Sequence, residues 1–550
     1  MNKLIRPLSL ATAAAMLVSL AACSSSSSSS SSSSAASSSS AASTGSTASE
    51  SANVSSEPAA EKEHLTITGY YPMHPSDVAE NVPEEGWLMD RMYEEKFNVT
   101  FDWYEVPATN EEEIYNITMA SGDIPDLVFQ SNWTKLNRYK DAWWVLDDFI
   151  KGKYPILEDL FYNDSYNYAL SANTDGQVQV ISMLSSQHVG DGLLIRGDLV
   201  EDWGITVEND MTKEEFEELL KLAKEKDPNI MPYMTRMQIS GLLQRLCEGW
   251  SGISNYAFVD AVDNTVKFGG ADERMEEVVT WLNKLYTEGL IDPEFPTTDT
   301  AAWQEQLLGD GIFVTHDNIS SRIKWAQQEW EKLGVTDKWY TAITPLSPDG
   351  TTKGQTTIHY PRQRQCAAIF VGAPEEKVDR ILEMFEYSFS EEGDELINYG
   401  IEGVSFTKDA DGNYALIPEY TDAVAAGTYP YNEIIKGNIG YIKMEMNGIY
   451  SLANAPYPNV VASGELYEQG GYIRDNLLNA VRFTDEEQDV ISQYETDLKT
   501  YCDEQLQKFI TGVTPLDQWD AYIAGYEAYH LQEYLDAYNA AAARATALIG

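Results

Sequence analysis

From residue 65 onward the apolar positions fall into short blocks, and their period switches between two and about 3.6 residues. Residues 65–69 alternate, with Leu65 and Ile67 on one side. They predict a strand that gives way to a loop at Tyr70-Tyr71-Pro72. Residues 86–97 place Trp87, Met92, Tyr93 and Phe97 on one helical face, and residues 99–103 alternate again. Residues 110–120 predict a second helix, ended by Ser121-Gly122, and 126–130 a third strand introduced by Pro125. This order of strand and helix is that of α/β layering around a largely parallel sheet.

The alternation continues along the chain. Residues 193–196 predict a strand. Thr212 with Glu215 three positions on has the form of a capping box, opening a helix that runs to 226 and stops before Asp227-Pro228. Residues 272–289 predict an amphipathic helix carrying Met275, Val278, Val279, Leu282, Leu285 and Tyr286. Strands are expected at 311–315 and 366–371, and a helix at 375–390. Two long helical segments, 484–510 and 516–548, close the chain. No internal repeat is visible.

The first 62 residues differ in kind. Lys3 and Arg6 precede an apolar run from Leu8 to Leu20, too short to span a bilayer as a mature helix. It ends in Leu20-Ala21-Ala22-Cys23, so residues 1–22 are expected to be a signal peptide. Ser24 to Ser34 is an unbroken serine tract, and Ser, Ala, Thr and Glu dominate up to residue 62. Such a segment has no apolar surface with which to build a core. It is expected to be a disordered tether averaging roughly 30–35 Å end to end. The remainder, about 490 residues, is too long for one small core and calls for two lobes or more.

Charge narrows the partners. Lys and Arg number 37 against 87 Asp and Glu, a net charge of −50. Such a surface repels nucleic acid and anionic membrane, and a polyanionic ligand would need a local basic pocket to overcome it. Besides Cys23 there are Cys247, Cys366 and Cys502, widely spaced and expected as buried free thiols. The histidines (64, 74, 188, 316, 359 and 530) form no His-Glu-x-x-His pair, and no phosphate-binding or dinucleotide glycine pattern occurs. Gly249-Trp250-Ser251-Gly252-Ile253 misses the nucleophile-elbow spacing by one residue. Asp409-Ala410-Asp411-Gly412-Asn413 has its glycine two positions too early for an EF-hand loop and predicts a hairpin turn. These patterns supply no catalytic residue, metal or cofactor, although 87 acids leave chance carboxylate pairs open.

Five segments occur in a fixed order: Ser121-Gly122-Asp123-Ile124-Pro125-Asp126-Leu127, Ile195 to Ile205, Gly311-Ile312-Phe313-Val314, Ser390 to Gly403, and Phe509-Ile510-Thr511-Gly512 with Leu516 to Tyr522. Together they resemble the extracellular solute-binding proteins of ABC transporters, in the large lipoprotein branch that serves carbohydrate importers. Leu20-Ala21-Ala22-Cys23 is similar to the lipobox, which implies a diacylglycerol on Cys23. Asp227-Pro228-Asn229-Ile230-Met231-Pro232 keeps the start of the calcium loop seen in many relatives but lacks its acidic ligands, so no calcium is expected there. The resemblance implies a periplasmic-binding-protein-like fold of type II, with two α/β lobes joined by a hinge and a cleft between them. The order of matches suggests lobe 1 at 63–188 plus 309–355 and lobe 2 at 189–308 plus 356–550, with 23–62 as the lipidated tether. It further implies a monomer on the extracellular face of the cell membrane, held there by its lipid only. Its partners would be permease subunits, with no nucleic acid.

The ligand implied is an oligosaccharide. Sugar rings stack their C–H faces on aromatic rings, and their hydroxyls need paired donors and acceptors. Candidates chosen for following predicted strands or lying in cleft-facing loops are Tyr70, Tyr71, Trp133, Trp250, Asp317, Asn318, Arg362, Tyr399 and Glu402. Two alternatives stay open: a binding protein for another solute such as an oligopeptide, and a surface glycoside hydrolase, which would need two carboxylates flanking a bond.

Overall fold

The computed structural model describes residues 62–73, 88–107, 110–130, 133–184, 190–357, 363–418 and 455–550. The signal peptide, Cys23 and nearly all of the tether therefore lie outside the described residues, as does Arg362. The expected α/β alternation is present, as β1 (Leu65–Met73), α1 (Leu88–Phe97), β2 (Val99–Pro107), α2 (Glu111–Ser121) and β3 (Leu127–Gln130). β1 runs through the expected loop. Tyr70, Tyr71 and Pro72 pair with Tyr104, Glu105 and Val106 of β2, whereas β3 pairs only with Gly69 and Tyr70. A proline is tolerated where one side of the strand is unpaired.

Two sheets organise the body. The first has the order β2-β1-β3-β9-β4, where β4 is Ile181–Leu184 and β9 is Gln363–Ile369. β1 is parallel to both β2 and β3, but β9 is antiparallel to β3 and β4. The second sheet joins β5 (Asp191–Arg196), β6 (Met231–Met234), β7 (Ile312–Asn318) and β8 (Tyr340–Ile343) in the order β8-β5-β7-β6. β5 is antiparallel to β7 and β8, and only β6–β7 is parallel. The sheets are thus mixed rather than largely parallel: β9 returns into the first sheet antiparallel to its neighbours, and β5 runs antiparallel to both of its own.

β1 to β4 and β5 to β6 lie in the sheets expected for them, but two return segments are exchanged. β7 and β8, expected in lobe 1, build the second sheet, and β9, expected in lobe 2, sits inside the first. Helix α7 (Glu375–Ser388) follows β9 and packs Ile381, Leu382 and Phe385 into the core of the first sheet. Motif order along the chain carries no information on which sheet accepts a crossing strand.

Each sheet is buried on both faces, with successive residues of a strand entering opposite cores. On the first, Ile67, Leu127, Phe129 and Ile369 meet Tyr93, Phe97 and Phe385, while Tyr70, Val106, Val128 and Cys366 meet Tyr115, Met119 and Trp143. On the second, Leu193, Ile195, Tyr233 and Val314 pack against Leu220, Leu282 and Leu285. Its opposite face sets Leu194, Met234 and Ile312 against Trp303, Ile323 and Trp330. The capping box at Thr212–Glu215 forms, and a second one, Thr484–Glu487, opens α9 (Asp485–Ile510). The segment expected as one helix over 516–548 is broken: His530 takes a left-handed backbone (φ 57°) between a short helix, Trp519–Gly525, and α10 (Leu531–Ile549). Asp409 to Asn413 forms the hairpin turn, with Asp409 accepting the backbone N–H of Asp411 and Asn413. Cys247, Cys366 and Cys502 are buried free thiols, and burial pushes Cys366 and Cys502 up to about 12. Among the described residues no helix is long and apolar enough to cross a membrane.

Candidate binding site

The chain passes between the sheets at one edge of each. β4 ends at Leu184 and β5 begins at Asp191. Seven peptide steps reach at most about 25 Å, which bounds the separation of these two strand ends. The second crossing runs from the end of β8 to the start of β9. Both crossings leave the second sheet where β6, β7 and β8 end and β5 starts. They enter the first where β1, β2, β3 and β4 end. Carboxyl ends of strands at such a crossing are where open α/β sheets bind ligands.

At this edge of the second sheet lies a dense group of charges. Asp317, in the last turn-out of β7, is 2% exposed. It accepts Arg236 Nε at 2.6 Å and Nη2 at 3.3 Å, and its own neighbour Asn318 N at 2.7 Å. Arg236 stands just past the end of β6, and Arg322 is in the first turn of α6 (Ile319–Lys332). Both guanidinium groups lie over the buried ring of Trp303, at 5.6 and 4.9 Å, and Arg322 also lies 4.9 Å from Trp325, which is only partly buried. The packing makes a cation–π base on which the guanidinium planes are fixed.

The other face of the β5–β7 pair continues the group. Asp191 pairs across the ladder with Asn318, and Leu193 with His316. Arg245 sits on a π-helical turn, Gly241–Cys247, with Nη1 2.7 Å from Asp191 Oδ2. π-Turns recur at functional sites because the extra residue redirects a side chain. Burial outweighs the neighbouring Arg245 and raises the Asp191 carboxyl, and burial likewise lowers the Arg245 and Arg322 guanidinium groups. Arg474, from the short strand Ile473–Arg474 that pairs with the second crossing at Thr356–Thr357, reaches to 4.0 Å from Glu248.

At the strand-end edge of the first sheet, the described side chains include a polar group around Gln130 and Glu111. Gln130, the last residue of β3, donates from Nε2 to Glu111 Oε1 at 2.9 Å, and Glu111 also pairs with Lys135. Tyr104, 48% exposed, stands near the end of β2 with an open ring.

The expected site residues distribute unevenly. Asp317 is at the edge, and Asn318 is beside it, but Asn318 uses its side-chain oxygen as the N-cap of α6, accepting Ser321 N at 2.9 Å and Oγ at 2.7 Å. Trp133 is not an open stacking ring. It is 2% exposed, packed in the core with Trp143 and covered by Arg482 at 5.1 Å. Tyr70 and Tyr71 are buried as well, since β1 continues through them. Trp250 lies on the short helix Glu248–Ser251 rather than in a loop, and packs edge-on against Trp281 in the core. Tyr399 stacks on Tyr414 at 3.8 Å, and Glu402 is an exposed turn residue beside Phe406. Neither joins the charged group. The sequence points to His316 beside Asp317 and Asn318, but not to Arg236, Arg245, Arg322 and Arg474 of the charged group. Arg236 and Arg322 follow strand ends and could have been chosen by the rule applied to the aromatics. Arg245 and Arg474 carry no local signal.

His316 is 3% exposed, and burial, aided by Arg245, holds its imidazole well below the usual 6.5. The unfolded chain takes up this proton below pH 6.5 and the folded chain refuses it. Its contribution is therefore intact above about pH 6.5 and is lost as pH falls. Between pH 6.5 and 5 the native chain should lose more stability than His316→Gln in urea unfolding. Equal losses would contradict the neutral buried imidazole.

No family model matches the chain. Among curated proteins it is 24% identical over 239 residues to lipoprotein LipO of Bacillus subtilis (strain 168), a match covering 41% of this chain and 45% of LipO. That match therefore spans less than half of that relative. It is 22% identical over 472 residues to the polygalacturonan/rhamnogalacturonan-binding protein YtcQ of the same organism, covering 81% of this chain and 86% of YtcQ. Similar solved structures include the alginate-binding protein AlgQ2 (TM-score 0.65, 21% identity) and an HMO-binding, ABC-transporter-associated solute-binding protein from Bifidobacterium longum infantis (0.67, 15%). A third is the S. pneumoniae ABC-transporter substrate-binding protein FusA in complex with kestose (0.61, 18%). Each likeness covers 88% of this chain and 99% of the other. The two-sheet architecture is the two-lobed fold of solute-binding proteins.

Proposed function

We propose that this chain, which has the two-lobed fold of ABC-transporter solute-binding proteins, captures an oligosaccharide outside the cell and hands it to a membrane permease without cleaving it. The observation that carries this reading is the convergence of two strand-end edges, one charged and one polar, at the crossings between the sheets. Closure of the lobes on a ligand there would be a hinge motion of the kind such folds use. Saccharides named for the similar proteins support the ligand class, and they include acidic polymers and a neutral one, so the fold does not choose between them. Lipidation at Cys23 would hold the body at the extracellular face, in keeping with the lipoprotein relative.

A thermal-denaturation screen tests the reading. Neutral oligosaccharides, uronate oligomers and oligopeptides are offered at a concentration near 100 times an expected micromolar dissociation constant. A true ligand then stabilises by about 2.7 kcal/mol. Stabilisation by at least one saccharide, with the saccharide recovered intact, is the expected result. Stabilisation by peptides alone, or release of cleaved sugar, would overturn it.

A further inference from the structure

We infer that the bound oligosaccharide is acidic, and that Arg322, Arg245 and Arg474 at the edge of the second sheet receive its carboxylate groups. The inference rests on the saccharide-binding reading above and narrows it to uronate-containing chains.

The chain is strongly acidic, at −50 overall, yet this edge gathers four arginines, Arg236, Arg245, Arg322 and Arg474, against Asp191, Asp317 and Glu248. A pocket meant only for hydroxyls has no need of a cationic surplus that is costly to bury. The pairings are also incomplete. Arg322 Nε is 3.5 Å from Asp317, and Arg474 Nη2 is 4.0 Å from Glu248. Arg245 Nε and Nη1, Arg322 Nε, Arg474 Nε and His316 Nδ1 are buried with no hydrogen-bond partner among the described residues. Buried donors are normally satisfied. Here each of three guanidinium groups has at least one nitrogen with no acceptor among the described residues, and the side chains that carry them keep 11–19% of their surface open to a ligand through their other atoms.

Geometry selects the acceptor. A guanidinium presents a planar fork of donors that a carboxylate fills in two-point fashion, whereas a hydroxyl fills one point. The fixed acids hold the arginines in place while the site is empty, and a ligand carboxylate completes the coordination. Trp325, partly open and already under Arg322, offers a ring beside the fork on which a sugar face can lie.

Calorimetry on the full chain tests this. The probes are tetragalacturonate and tetramannuronate, the methyl ester of each, which keeps the sugar backbone and removes the charge, a neutral galactan tetrasaccharide and a sulfated tetrasaccharide. At least one free acid should bind at least tenfold more tightly than its ester, or about 1.4 kcal/mol. That affinity should fall as salt rises from about 0.05 to about 0.3 M. Arg322→Gln should weaken the acid at least tenfold and the ester by a much smaller factor. Arg474→Gln, at a more peripheral position, serves the same purpose if Arg322→Gln does not fold. Ester, neutral or sulfated probes binding as tightly as the acids, or both variants weakening acid and ester equally, would overturn the acidic ligand and leave the saccharide reading standing. Binding of no saccharide would overturn both.

Discussion

Replacing Arg482 by methionine is expected to lower the free energy of unfolding by about 3–4 kcal/mol, the largest single loss outside the apolar core. Arg482 is 5% exposed. Its Nη2 donates to Leu170 O at 2.6 Å, and its Nη1 to Asn479 O at 2.8 Å and Val481 O at 2.9 Å. Burial draws its pKa down to about 9, which shows how poorly the site solvates the cation. Methionine fills much of the space over Trp133 but donates nothing. Three lost bonds to a charged donor, at about 1.5–3 kcal/mol each, outweigh the relief of burying a cation. The arginine ties residues 476–485 to the first half of the body, where Asn137 also donates to Phe483 O at 3.1 Å and Tyr166 to Asn476 O at 3.1 Å. The C-terminal helices pack on the second core, so this clamp joins both. A urea midpoint unchanged by Arg482→Met would refute the assignment.

Asp317→Ala is expected to cost about 3 kcal/mol. The substitution leaves Arg236 and Arg322 over the same indole with no carboxylate between them. Breaking a buried pair costs about 3–5 kcal/mol because the stranded charge stays desolvated. Arg236 is a quarter exposed and water screens part of that penalty, which places the effect at the low end. Removing Arg236 as well should restore at least 1 kcal/mol of the loss, since the repulsion between the two cations goes with it. The two single variants and the double variant, compared by urea unfolding at neutral pH, measure this directly. Purely additive losses would mean that Asp317 and the arginines are not coupled.

The strands, the helices and their caps were largely legible in the chain. Period-two and period-3.6 blocks located β1 to β3, α1, α2 and the helix over 375–388 within a few residues, because burial of one face writes itself into neighbouring positions. Misreadings came where tertiary context overrode local chemistry. Tyr70-Tyr71-Pro72 reads as a turn but pairs with β2, and the helix over 516–548 is interrupted at His530 without a proline or glycine to announce it. The aromatic candidates Trp133 and Trp250 are packed in the cores rather than open. Trp133 and Trp250 follow a strand end and flank glycines, but a large ring at such a place is as useful for filling a core as for meeting a sugar.

By itself the sequence determined the order and kind of the elements, the thiols as unpaired, and the acidic surface, all of which depend on neighbours along the chain or on counting. Which sheet takes β7 and β9, and which charges meet, was decided only by the tertiary structure. Asp191, Arg236, Arg245, Asp317, Arg322 and Arg474 come from five separate segments and converge because β5, β6 and β7 lie side by side with their ends at one edge. Strand neighbourhood is a property of the whole packing, and no local pattern of apolar and polar residues encodes it.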